Sequence, residues 1–139
     1  MLKVLNGNNF PNYFLAMQKR QVRNQQIGSY GEDAVALYLA NRGAEVIDRN
    51  WRIKEGEIDI VARNQRGLFL FVEVKTRSSL AFGHPLESIT PQKAGRLQRL
   101  ALAWLATHRA LGAEYRIDCA AVLLHINSEP QIDYRAGVL

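Results

Sequence analysis

The stretch GEIDIVARNQRGLFLFVEVKTR, residues 56–77, constrains the fold more than any other part of the chain. Two strand-forming runs, GEIDIVARN and LFLFVEVKTR, flank the turn NQRG. Side chains alternate between the faces of a strand, so Phe69, Phe71, Glu73 and Lys75 share one face. An otherwise aromatic face therefore ends in two opposite charges. In the first run Glu57, Asp59 and Val61 share a face, and Ile58, Ile60 and Ala62 share the other. The turn decides whether Asp59 meets Glu73. A loop of Gln65 and Arg66 alone sets Asp59 opposite Val72 and sends the two carboxylates to opposite faces. A loop of Gln65, Arg66 and Gly67 pairs Asn64 with Leu68 and Asp59 with Glu73. That longer loop needs a left-handed residue in third place, and Gly67 supplies it.

Directly opposite residues have Cβ atoms about 5 Å apart. Two unit charges at that spacing repel by roughly 3 kcal/mol at an effective dielectric near 20. Repulsion of this size raises one pKa or draws in a cation. Lys75 offsets part of it, and a Mg²⁺ or Mn²⁺ ion on Asp59 and Glu73 would resolve the rest. Such an ion polarises a phosphate and lowers the pKa of bound water. Lys75 could then orient or deprotonate the water, or stabilise charge developing on the phosphate. These parts together make a metal-dependent phosphodiesterase site. An acidic-x-Lys pair alone is weak evidence, because a chain of this size contains about one by chance. The bland alternative is an ion pair at a strand end.

The rest of the chain supplies a frame for that hairpin. SYGEDAVALYLANRG reads as a first helix, with Ser29 and Glu32 as a capping box and Ala34, Val35, Tyr38 and Leu39 as its apolar face. Gly43 closes it. AEVIDRNWRI reads as a strand, making an antiparallel meander with the next two. SSLAFGHPLESI is a loop with Gly83 and Pro85 as breakers. TPQKAGRLQRLALAWLATHRALG reads as a second helix, capped by Thr90 with Pro91 first. Its apolar stripe is Ala94, Leu97, Ala101, Trp104 and Leu105, and Gly112 lies past its end. YRIDCAAVLLHI is a strand apolar on both faces, and QIDYRAGV a weak last strand. The expected fold class is α/β, an α/β/α sandwich on a mixed sheet of four to five strands, with core order α-β-β-β-α-β.

Residues 1–27 read as a flexible basic N-terminal arm carrying Lys19, Arg20 and Arg23, and residues 28–139 as a single domain. Met1 and Met17 are both candidate starts. No segment has the pattern of a secretory signal, and no run of about 18 apolar residues could span a membrane. One cysteine, Cys119, excludes an internal disulfide and makes a cytoplasmic setting the expectation. The net charge is +5, and arginine, with 13 of the 18 cationic residues, dominates it. Arginine forks onto phosphate oxygens, which suits a nucleic-acid partner, although an ordinary basic surface looks the same.

GEDAVALYLANRGAEVIDRNWRIKEGEIDIVA, FVEVKTR and ITPQKAGRLQRLALAWL together resemble the YraN family of small bacterial proteins. That family is similar to the restriction-endonuclease-like superfamily, which includes archaeal Holliday-junction resolvases. The resemblance covers roughly residues 24–135. It implies a restriction-endonuclease-like fold and places the superfamily pattern, a helix Glu, a strand Asp and then Glu-x-Lys, on Glu32, Asp59, Glu73 and Lys75. Ile58 stands where the nominal pattern has proline. The implied activity is Mg²⁺- or Mn²⁺-dependent hydrolysis of nucleic acid, DNA sooner than RNA, including branched DNA, with Asp59, Glu73 and Glu32 around the metal. A homodimer would cut both strands of a duplex. The alternative is a nucleic-acid-binding module with this fold and no turnover.

Glu32 has two readings, a capping-box residue or a site carboxylate. The resemblance makes Gln92 and Lys93, at the start of the second helix, candidates for places near the metal. Lys93, Arg96 and Arg99 form a stripe for phosphates or a solvated face, and Arg77 could reach a phosphate. Asp118 reads as structural unless it faces the site. His84, His108 and His125 lack metal-ligand spacing, and Cys119 reads as core. Trp51 and Tyr30 could stack on a base, with packing the simpler role.

Overall fold

A computed structural model describes residues 9–78, 89–125 and 127–138, with side chains described from residue 23 onward. Helix α1 (Asn9–Asn41) precedes strands β1 (Glu45–Ile53), β2 (Gly56–Arg63) and β3 (Phe69–Arg77). Helix α2 (Pro91–Thr107) then leads to β4 (Tyr115–Leu123) and β5 (Gln131–Arg135). The strands form one mixed sheet in the order β1-β2-β3-β4-β5. Only the β3–β4 pair is parallel, because α2 carries the chain back across the sheet between them.

Each face of the sheet receives one helix. On one side Val35 and Leu39 of α1 pack on Ile60, Ala62, Leu70, Val72, Ala120 and Val122. On the other, Leu97, Leu100, Ala101, Trp104 and Leu105 of α2 pack on Val61, Phe69, Phe71 and Ile117. The Trp104 ring lies 5.5 Å from that of Phe69 and 5.7 Å from that of Phe71. Strand β3 is central because both its faces are apolar, which only a doubly covered strand can satisfy. This is the expected α/β/α sandwich, and α-β-β-β-α-β is its core order, with β5 added at the edge.

Two helix ends differ from the sequence reading. Helix α1 does not start at Ser29 but runs continuously from Asn9 for 33 residues, so the Ser29–Glu32 capping box does not form. YFLAMQKRQVRNQQI contains no proline or glycine, and its Leu, Met, Gln, Lys and Arg favour helix, so the local cap signal is overridden. The arm read at residues 1–27 is therefore helical from Asn9, and residues 1–8 lie outside the described part. Helix α2 ends at Thr107 with His108 as its C-cap, and Arg109, at φ 56°, turns the chain before Gly112 does. Thr90 caps its start as expected, its hydroxyl accepting from the Lys93 N–H. The expected loop with Gly83, His84 and Pro85 lies outside the described residues.

Gly31 fixes how closely α1 approaches the end of β3. A Cβ there would collide with Thr76 Oγ1 and sit 3.0 Å from Thr76 Cβ. The next residue along the helix is Glu32, so this contact sets its height over the sheet. Gly31→Ala is expected to cost about 1–3 kcal/mol, the range for overpacking a close contact. Thermal denaturation of Gly31→Ala, alone and with Thr76→Ala, checks this. The double variant should recover part of the loss, and additive losses would show that the contact is not the cause.

Candidate active site

The turn between β2 and β3 has the geometry that its glycine demands. Asn64 N–H donates to Leu68 O, and Gly67, at φ 85°, closes the loop onto Asn64 O. The register follows: Ile60 pairs with Val72 and Val61 with Phe71. One more step brings Asp59 level with Glu73.

The ladder stops at that step because the strand turns over. Ile58 packs on the α2 side and Ile60 on the α1 side, although a regular strand puts residues two apart on one face. The neighbouring strand turns over at the same level. Arg49 reaches Glu32 and Asp33 of α1, while Trp51, two residues on, packs on the α2 side, and between them Asn50 adopts φ 53°. Flanked by the Arg49–Ile60 and Trp51–Ile58 pairs, Asn50 lies across from Asp59. Freed from the ladder, the Asp59 carboxylate accepts the Val74 N–H at 2.8 Å.

Asp59 and Glu73 are both buried. Their side chains lie close enough for a hydrogen bond, which favours the protonated form of Asp59. Burial and then the Glu73 charge push Asp59 up to about 8, against the lowering pull of the Val74 N–H. Lys75 Nζ stands 3.4 Å from Glu73 Oε2 and is partly exposed, so it can reach a ligand from solvent. Cys119 pairs with Glu73 across β3–β4 and is buried, which pushes its thiol up to about 11. It is a core thiol, not a nucleophile.

Glu32 comes to this group from α1. It stands within reach of the Asn50 side chain and 3.8 Å from Arg49, and its charge is felt at Asp59. Partial burial raises its pKa, while Asn50 and Arg49 oppose the rise. Arg49 also bonds Asp33 at 2.8 Å. Among the described residues, no three of His, Cys, Asp and Glu are arranged as a ready metal cage. The buried Asp59–Glu73 pair nevertheless fits a Mg²⁺- or Mn²⁺-type ion. Such ions take one or two carboxylates and fill the rest of their shell with water and phosphate oxygens.

The other candidates make no hydrogen bond or ion pair with these carboxylates among the described residues. Arg77 is exposed at the end of β3, its guanidinium donating to Thr76 O. Arg96 and Arg99 line a cleft of about 380 Å³ with Ile53 and Glu55, beside the β1–β2 turn. Gln92 is exposed and Lys93 half-buried; among the described residues neither side chain bonds the carboxylates. Asp118 faces away from the site and is structural: fully buried, it takes a forked bond from Arg116 and accepts from the Tyr134 hydroxyl and the Gly137 N–H. His108 stacks on Trp104 at 3.9 Å and His125 is exposed, while His84 lies outside the described residues. Trp51 packs against the α2-side core, and Tyr30 is exposed. Reading the sequence missed Arg49, and it missed Asn50, whose side chain is one of the few that tolerate a left-handed backbone.

The raised Asp59 pKa has a pH signature. Unfolded, Asp59 ionises near 3.8, and folded near 8. Below both values each state holds the proton. Between them only the folded state does, so stability falls as pH rises, and the loss is complete above about 8. Melting temperatures in EDTA should therefore fall between pH 5 and 8 for the wild type by more than for Asp59→Asn. Parallel profiles would contradict the assignment.

A profile of the "Uncharacterised protein family UPF0102" matches residues 31–122. A UPF0102 protein of Beutenbergia cavernae is 51% identical over 112 residues, covering 81% of this chain and 94% of the relative. UPF0102 protein Lxx14785 of Leifsonia xyli subsp. xyli is 43% identical, covering 84% of this chain and 98% of its own length. Among solved structures, Pyrococcus furiosus SfsA in complex with Ca²⁺ aligns over 85% of this chain and 64% of that one. The two are 17% identical, with a TM-score of 0.34. The match to the family profile over most of the chain and the two close, near-full-length relatives agree: the chain belongs to the UPF0102 family.

Proposed function

We propose that the protein is a metal-dependent nuclease that hydrolyses phosphodiester bonds, with DNA as its substrate, branched DNA included. The observation that carries this reading is the buried contact between Asp59 and Glu73 with Lys75 beside it. A lone surface ion pair would explain Lys75 and Glu73 but not a second buried carboxylate against them. Forcing two carboxylates together costs stability, and the arrangement makes sense where a cation replaces the proton.

Asp59 and Glu73 would hold a Mg²⁺ or Mn²⁺ ion, which when bound polarises the phosphate and acidifies water. Glu32 would orient a water at the rim of the pair. Lys75 would donate to a non-bridging phosphate oxygen as charge builds there. The water oxygen bonds to phosphorus as its proton passes to solvent, one P–O ester bond breaks, and the departing oxygen takes a proton from solvent. Exposed Arg77, Arg96 and Arg99 would attract the backbone through charge. Two copies in a homodimer would serve the two strands of a duplex.

The test is cleavage of supercoiled plasmid and of branched DNA with Mn²⁺, with EDTA and with Mn²⁺ restored. Cleavage that EDTA stops and Mn²⁺ restores is expected. Tight binding of these DNAs without cleavage would favour a binding module instead.

A further inference from the structure

Asn50 combines two features that no other described residue shares. Its backbone is left-handed, at φ 53°, at the level where β1 and β2 both turn over. Its side chain meets the Glu32 carboxylate, and its place in the ladder is opposite Asp59. A left-handed residue reverses which face the following side chains take, and a non-glycine there costs energy that something must offset. At this position the reversal frees Asp59 to leave the ladder and accept the Val74 N–H beside Glu73. A glycine would make the same turn at less steric cost. The amide of Asn50 is thus the feature that a glycine would lose.

We infer that Asn50 is a positioning residue: its backbone turns Asp59 toward Glu73, and its amide holds Glu32 at the rim of the same pair. Arg49, 3.8 Å from Glu32 and 2.8 Å from Asp33, bears on Glu32 from the same strand. The inference rests on the metal-site reading above. Residues that orient a metal's surroundings without binding it typically change affinity or activity 10–100-fold when lost.

The experiment is a titration with Mn²⁺ alone, with melting temperature measured in parallel, on wild type, Asn50→Gly, Glu32→Gln and the double variant. Asn50→Gly keeps the left-handed backbone, so its melting temperature should stay near that of the wild type. Its Mn²⁺ affinity should fall about tenfold, as should that of Glu32→Gln, and the double variant should lose no more than either single one. Unchanged affinity in Asn50→Gly, or losses that multiply in the double variant, would overturn the inference and leave the metal site standing. Failure of the wild type to bind Mn²⁺ would overturn both. Asn50→Ala, which loses the backbone tolerance as well, should melt lower than Asn50→Gly, and equal melting would overturn the backbone half of the inference.

Discussion

Asp59→Asn is expected to abolish divalent-ion binding and cleavage while making the metal-free protein more stable. The substitution keeps the shape of the side chain. The amide oxygen can still accept the Val74 N–H, and the amide nitrogen can donate to Glu73, as protonated Asp59 does. What disappears is the negative charge. Two unit charges about 5 Å apart repel by roughly 3 kcal/mol at an effective dielectric near 20. Above pH 8, where Asp59 would otherwise be ionised, the variant should gain about 2–3 kcal/mol in EDTA. Removing one of two anionic ligands should lower cleavage about a thousandfold or more, since the ion supplies several kcal/mol of charge stabilisation. Denaturant melts at pH 8.5 and a plasmid-nicking assay read the two effects. A variant less stable than wild type in EDTA would contradict the account of the pair.

Lys75→Ala should separate binding from turnover. Lys75 is 3.4 Å from one Glu73 oxygen and reaches solvent, so it can meet a phosphate that the carboxylates cannot. Loss of a positioned donor or proton-transfer group costs about 10²–10⁴-fold in rate. Mn²⁺ affinity should hold or rise slightly, because a cation has been removed from beside the ligands. The measurement is single-turnover cleavage alongside Mn²⁺ titration. Activity equal to wild type would assign the nuclease to another group or to a contaminant. Loss of Mn²⁺ binding in this variant would make Lys75 a structural partner of Glu73 alone.

The parts of this site that were legible in the sequence are those set by short-range chemistry. Gly67 in third place fixed the loop, the loop fixed the register, and the register brought Asp59 to Glu73. Thr90 and Pro91 marked the start of α2 for the same local reason. Ser29 misled because a capping box is also local, and the helix-forming residues before it carry the helix through. The turning-over of β1 and β2 was not legible from alternation, which assumes that a strand keeps its faces. Asn50 was its one visible sign, and a single asparagine in RNWRI is compatible with an ordinary strand. The place of Arg96 and Arg99 in a cleft with Ile53 and Glu55 depends on how α2 crosses the sheet, which no local pattern encodes.

The most direct test of the central claim, that Asp59 and Glu73 trade a proton for a divalent ion, is calorimetric titration with Mn²⁺ near pH 7. Running it in buffers of different ionisation enthalpy counts the protons released. Burial and the Glu73 charge favour the protonated form of Asp59 in the folded protein, so ion binding should release protons. Binding should vanish in Asp59→Asn. No Mn²⁺ binding by the wild type, or binding without proton release and undiminished in Asp59→Asn, would contradict the claim.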